Sequence, residues 1–241
     1  MLVVVAGSYR PHEAQYGYLP DRTDTFRSCM QSLGAELARG RHTLWIAWSE
    51  QNAPSQMGEK PFGNHPYEET ADYHALLGFL EALTESLHER GAGIRMLLSR
   101  RADQSQVRPF ALGIDLENFV KKSWVTFDEP VIEYPNVYRS YLLQQQARTA
   151  DAFFAVGGGK AMDLAWVTAY ERGALLPLPF FGGVSQKVFK ERSFSTELKR
   201  ELSGLQPKDD DSELNFPPHW TVEQLLHHAG GVRPDFTPPV A

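Results

Sequence analysis

Residues 151–173, "DAFFAVGGGKAMDLAWVTAYERG", constrain the fold more than any other part of this 241-residue chain. An unbroken apolar run ends on three glycines, and Met162, Ala165, Trp166, Ala169 and Tyr170 then recur at helical spacing. A strand that is apolar on both faces has to be covered on both faces. That is the situation of an inner parallel strand flanked by helices. The same unit recurs along the chain. "LVVVA" (2–6), "HTLWIAW" (42–48), "IRMLLS" (94–99), "SWVTF" (123–127), "AFFAV" (152–156) and "ALLPLPFF" (174–181) all read as strands.

Helical patterns separate them. Phe26, Met30, Leu33 and Leu37 form one stripe that stops at Gly40, and Tyr73, Leu76, Leu77, Leu80, Leu83 and Leu87 form another between Asp72 and Arg90. "LENFVKK", "NVYRSYLLQQQARTA" and "VSQKVFKERS" add shorter helical segments. Alternating strands and helices predict an α/β, Rossmann-like three-layer fold with a mostly parallel six-stranded sheet, in the common order 3-2-1-4-5-6. Residues 1–206 are expected to form this domain. Residues 207–241 are expected to follow as an acidic linker ("PKDDDSEL"), a small helix capped by Thr221 and Gln224, and a proline-rich tail.

Composition narrows the function classes. A formal charge of −6 with no basic block argues against duplex nucleic acid as a partner. No apolar run reaches the length of a membrane span, and "MLVVVAGSYR" is too short for a signal peptide. The single cysteine, Cys29, has no partner for an internal disulfide, so a cytoplasmic location is expected. No HExxH or CxxC spacing is present, so no metal and no cofactor is expected, and His74, His227 and His228 read as surface residues.

In an open parallel sheet, ligands gather beyond the carboxyl ends of the strands where the order reverses. For the predicted order that place lies between the first and fourth strands. After the first strand come Gly7, Ser8, Tyr9 and Arg10: a hydroxyl, a ring able to stack on a base, and a cation able to meet a phosphate. After the fifth come Gly157, Gly158, Gly159 and Lys160, whose backbone amides at a helix start suit an anion. Gly182, Gly183 and Lys187 repeat the device after the sixth. A P-loop is excluded, because Phe154 and Ala161 occupy its first glycine and its hydroxyl position. The dinucleotide fingerprint fails at Met162, and no G-x-S-x-G elbow appears. Glu50, Asp128, Glu129, Glu133 and Asp163 stand near the same edge. Under an enzymatic alternative, Glu129, Glu133 and Asp163 would be the acid, base or nucleophile of N-glycosidic cleavage.

The strand endings "GSYR", "VGGGKAMDLAW" and "PLPFFGGVSQKVF", in this order over about residues 1–192, resemble the SLOG superfamily. That group includes LOG-type phosphoribohydrolases and the nucleotide-sensing domains of antiphage systems. Against the LOG motif P-G-G-x-G-T-x-x-E, Gly157 and Gly158 match. Val156, Lys160, Ala161 and Leu164 replace the proline, the third glycine, the threonine and the glutamate. The resemblance thus keeps the binding half of the motif and lacks the catalytic half. It implies a sensor of an ADP-ribose-like or cyclic ADP-ribose-like messenger, with Arg10, Lys160 and Lys187 supplying positive charge. It further implies a homo-oligomer or an effector protein as the means of passing the signal on.

Overall fold

The two strands richest in apolar residues lie side by side at the centre of the sheet. In the computed structural model, which describes residues 1–10, 17–18, 22–49, 70–85, 92–101, 124–128, 131–133, 139–158, 162–204 and 222–229, β1 is Leu2–Ser8 and β6 is Ala152–Gly157. They pair in parallel over six rungs, from Val3 opposite Ala152 to Ser8 opposite Gly157. Every residue of β6 is buried, as are all but the first of β1, which is what an inner strand covered on both faces requires.

The remaining strands are β2 (Thr43–Ser49), β3 (Gly93–Arg101), β4 (Val125–Phe127), β5 (Val131–Glu133) and β7 (Leu175–Leu178). Every strand pairing is parallel, in the order β4-β3-β2-β1-β6-β7, with β5 pairing further along the same edge of β3. The described helices are α1 (Thr23–Arg39), α2 (Ala71–Glu85), α3 (Arg139–Thr149), α4 (Asp163–Glu171), α5 (Gly183–Glu191), α6 (Thr196–Gly204) and α7 (Val222–Leu226). Right-handed crossovers put α1 and α2 on one face of the sheet and α3 and α4 on the other.

The predicted α/β class with its parallel sheet is what the structure has. One placement differs. The fourth strand was expected beside the first, but it lies at the far edge, and β6 takes the inner seat. The reason is burial: β6 is apolar on both faces, whereas three-residue β4 carries an exposed Thr126 and suits an edge. The last predicted strand is also shorter than expected. It ends at Leu178, and Pro179–Phe181 form a single 3-10 turn. Pro177 is tolerated within it because β7 is an edge strand. Helix α6 was not anticipated, although Ser195 Oγ accepts its Leu198 N–H at 3.1 Å and Leu198 and Leu202 are buried one turn apart. The predicted helix at "LENFVKK" and the linker at 207–214 lie outside the described residues.

Helices α1 and α2 cross at unusually close range. A Cβ on Gly34 would overlap the Ala75 carbonyl, and one on Gly78 would overlap the Gln31 carbonyl. Two glycines facing opposite backbones let the helices touch main chain to main chain. Cys29 lies in this layer, fully buried, and burial pushes its thiol pKa up. The terminal helix α7 is docked on the same body. Val222, Leu225 and Leu226 are buried, Glu223 Oε1 lies 2.7 Å from His42 Nε2, and Glu201 Oε2 lies 3.1 Å from His228 Nε2.

Two outcomes are expected. Gly34→Ala should lower unfolding stability by about 1–3 kcal/mol through overpacking of the crossing, read by urea denaturation with circular dichroism; an unchanged midpoint would mean that the helices are not in main-chain contact. Cys29 should resist an aromatic disulfide reagent at about pH 8 in the native protein and react promptly in denaturant. Fast native labelling would show that the layer opens.

Candidate functional site

The order of strands reverses between β1 and β6, so the connections leaving their carboxyl ends diverge to opposite faces, the place where open parallel sheets generally form a crevice. Sequence reasoning put this switch point between the first and fourth strands. The observed order moves it to the β1–β6 seam, where the "GSYR" and "VGGG" segments lie next to each other.

The glycines at the seam pack against one another. Gly7, Gly157, Gly158, Gly182 and Gly183 all have positive φ. At Gly157 (φ +53°) a side chain would collide with the Ser8 carbonyl, and at Gly183 (φ +67°) with Gly157 itself, so neither position admits a Cβ. Their amides are engaged. Gly157 N–H donates to Ser185 Oγ at 2.9 Å, Gly158 N–H to Ser8 O at 2.9 Å, Gly182 N–H to Pro179 O at 3.2 Å and Gly183 N–H to Gly17 O at 3.4 Å. Val184 N–H closes the loop on Gly158 O at 3.1 Å. These four glycines were expected to offer bare amides to a phosphate; instead the protein's own acceptors take them. Gly159 and Lys160 lie outside the described residues.

Tyr9 also departs from expectation. It was assigned to stack on a base, yet it is 1% exposed and its ring lies among aromatic neighbours. Phe26 stacks on it at 5.5 Å between centroids, and Phe181 and Tyr18 meet it edge-on at 5.8 and 5.9 Å. Its hydroxyl accepts the Arg22 N–H at 2.9 Å. A ring so enclosed has no face left for a ligand. Ser8 is buried and Arg10 half-buried at the mouth of the seam.

Polar residues that the sequence did not single out stand at the start of α2, which meets the seam through Thr70. Thr70 bridges to Ser8 at the head of α2, and Thr70, Asp72 and His74 are all buried. His74 was expected at the surface. It instead packs edge-on against Phe26, which links it to Tyr9. The signal was available: "TADYHALL" puts three polar residues in the first turn of an apolar helix. Their spacing matches no metal-binding motif. Among the described residues, no group of three or more His, Cys, Asp or Glu is arranged to hold a metal ion.

The carboxylate candidates do not converge. Asp128 follows β4 and Glu133 ends β5, both on the outer edge of β3, three strand spacings or about 14 Å across the sheet from β1. Asp128 is committed to a structural cluster. It pairs with Arg95 Nε and accepts the Trp45 indole N–H at 2.8 Å, while Arg95 lies 4.6 Å from the Trp45 ring centre. Glu50 and Glu129 lie outside the described residues. Asp163, in the first turn of α4, and Lys187, exposed on α5, line one cleft between those helices.

No protein-family model and no curated protein matches the chain. Among solved structures, a similar chain is the X-ray structure of TM1055, a structural-genomics target. It is 15% identical, over 86% of this chain and 86% of that one, with a TM-score of 0.43. A likeness so distant says nothing about ligand or chemistry. Among the described residues, no helix is long and apolar enough to cross a membrane.

The hub of the seam is Ser185, whose buried hydroxyl takes Gly157 N–H and faces the carbonyls of Leu178 at 2.9 Å and Gly182 at 3.2 Å. Ser185→Ala leaves a buried amide and its carbonyl neighbours unsatisfied. It should lower stability by about 1–3 kcal/mol and speed hydrogen exchange at Gly157. Wild-type protection of that amide in the variant would remove Ser185 from this role.

Proposed function

We propose that this chain binds a nucleotide-derived small molecule of the ADP-ribose type in the crevice at the carboxyl ends of β1 and β6, and acts as the ligand-sensing part of a larger assembly. The observation that carries the reading is the reversal of strand order at β1 and β6, with Ser8 bridged there to Thr70, Arg10 two residues beyond Ser8, and Asp72 and His74 in the helical turn that follows Thr70. The chemistry of those side chains suits such a ligand. A carboxylate and two hydroxyls can exchange hydrogen bonds with ribose hydroxyls, and a guanidinium suits a phosphate. The resemblance to SLOG domains points the same way and is the sole basis for an antiphage role. Because the amides of Gly157, Gly158, Gly182 and Gly183 are engaged, side chains rather than those amides would hold the ligand. A few charge-assisted contacts of about 1.5–3 kcal/mol each, less the cost of immobilisation, suffice for micromolar affinity.

For cleavage the expected carboxylates do not assemble, since Glu133 ends β5 on the outer edge of β3 and Asp163 lines the cleft between α4 and α5. Calorimetry with ADP-ribose, AMP and NAD tests the proposal. At least one should bind, Arg10→Ala should weaken it tenfold or more, and chromatography should recover the ligand intact. Absence of heat with all three ligands, or binding indifferent to both Arg10→Ala and Asp72→Asn, would sink it.

A further inference from the structure

Two large apolar side chains stand out in solvent on the side of the sheet covered by α3 and α4. Tyr141 is 42% exposed and Leu164 60%, and apart from Met1 no other large apolar side chain among the described residues is so exposed. Each begins a stripe at helical spacing. On α3 the stripe is Tyr141, Gln145 and Arg148; on α4 it is Leu164, Thr168 and Glu171, and every member is exposed or half-buried. Single exposed apolar residues are ordinary, so the weight rests on how the two stripes match.

They lie side by side at the same height. Helix α3 leads into β6 and α4 leaves it, so both run against the strand and parallel to each other. Arg172, just past α4, donates from Nη1 to Ala147 O at 2.8 Å and to Ala150 O at 3.0 Å, which fixes the end of α4 against the end of α3. Counting back at about 1.5 Å per residue sets Glu171 level with Arg148 and Leu164 level with Tyr141. Lysine is absent from both helices, whereas α5 and α6 carry Lys187, Lys190 and Lys199. Tyrosine and arginine without lysine is the composition of surfaces that bury against another protein.

We propose that this face pairs with the same face of a second copy of the chain, around a two-fold axis parallel to the two helices. Such an axis lays α3 of one protomer against α4 of its partner and keeps their heights. Tyr141 then meets the partner's Leu164, Gln145 the partner's Thr168 and Arg148 the partner's Glu171, each contact being made twice. A guanidinium on one stripe and a carboxylate at the same height on the other make the face complementary to itself, which selects a second copy over an unrelated partner. An axis across the helices would instead set Arg148 against the partner's Tyr141 and Glu171 against the partner's Leu164, with neither charge paired. The surface does not depend on the nucleotide reading.

Sedimentation velocity of the full chain from about 1 to 200 µM tests the pairing, and a contact between two short helices on each side should give a dimer Kd on the order of 10 µM. Leu164→Asp, at an exposed position, should raise that Kd about tenfold or more, and the milder Leu164→Ala about threefold. Arg148→Glu and Glu171→Arg should each weaken pairing about fivefold. The two changes together should restore it to within about twofold of the wild type, because the ion pair is rebuilt with its signs exchanged. A chain that stays monomeric across the whole range would overturn the proposal. So would a dimer indifferent to Leu164→Asp, or charge changes whose losses add in the double variant instead of cancelling.

Discussion

The structure depends on β1 and β6 staying paired to their last rung. Six consecutive register positions carry the pair from Val3 and Ala152 to Ser8 and Gly157, and the chains must then part at once to reach helices on opposite faces. A parting that sharp would normally strand amides in a buried place. Here the carbonyl of Ser8 takes the amide of Gly158, the hydroxyl of Ser185 takes that of Gly157, and α5 is fastened to the turn through Val184 and Gly158. Only glycine fits where these backbones meet, since a side chain at Gly157 or Gly183 would strike the opposing main chain. The glycines are thus the means by which three connections share one small volume.

This packing changes where binding chemistry has to come from. A glycine turn at the end of a parallel strand usually suggests amides that point at a phosphate. In this chain four such amides face inward, and the polar residues nearest the seam are Ser8 with Thr70 bridged to it, Arg10 two residues on, and Asp72 and His74 in the first turn of α2. Tyr9, between Ser8 and Arg10, belongs to the aromatic packing with Phe26 and Phe181 and fixes how the crevice lip joins the core. Specificity would then rest on the placement of α2 as much as on the loops, because α2 carries Asp72 and His74 and begins directly after Thr70. That helix is held by the main-chain contact at Gly34 and Gly78.

Trp166 joins the crevice region to the cleft between α4 and α5. One edge of its indole supports the Gly158 turn, the same residue borders the cleft, and its buried indole N–H has no acceptor among the described residues. The sequence marked Trp166 as core, and core it is. Periodicity could not reveal that its polar atom would go unmatched, because that depends on which residues α5 brings opposite.

The amino-acid sequence by itself determined the class of fold, because runs such as "LVVVA" and "AFFAV" are stable only in strands covered on both sides, and helical stripes such as Phe26, Met30, Leu33 and Leu37 supply the cover. It also marked the carboxyl-edge turns through their glycines. The tertiary structure alone decided the strand order, since competition for the inner seat compares the burial of β6 with that of β4, and local pattern cannot rank them. It decided equally that the amides of Gly157 and Gly158 face Ser185 and Ser8, that Tyr9 is enclosed, that Thr70 comes to the seam and that His74 packs on Phe26. Each of these is a relation between segments far apart in the chain. Spacing within one segment carries no information about the partner that packs against it.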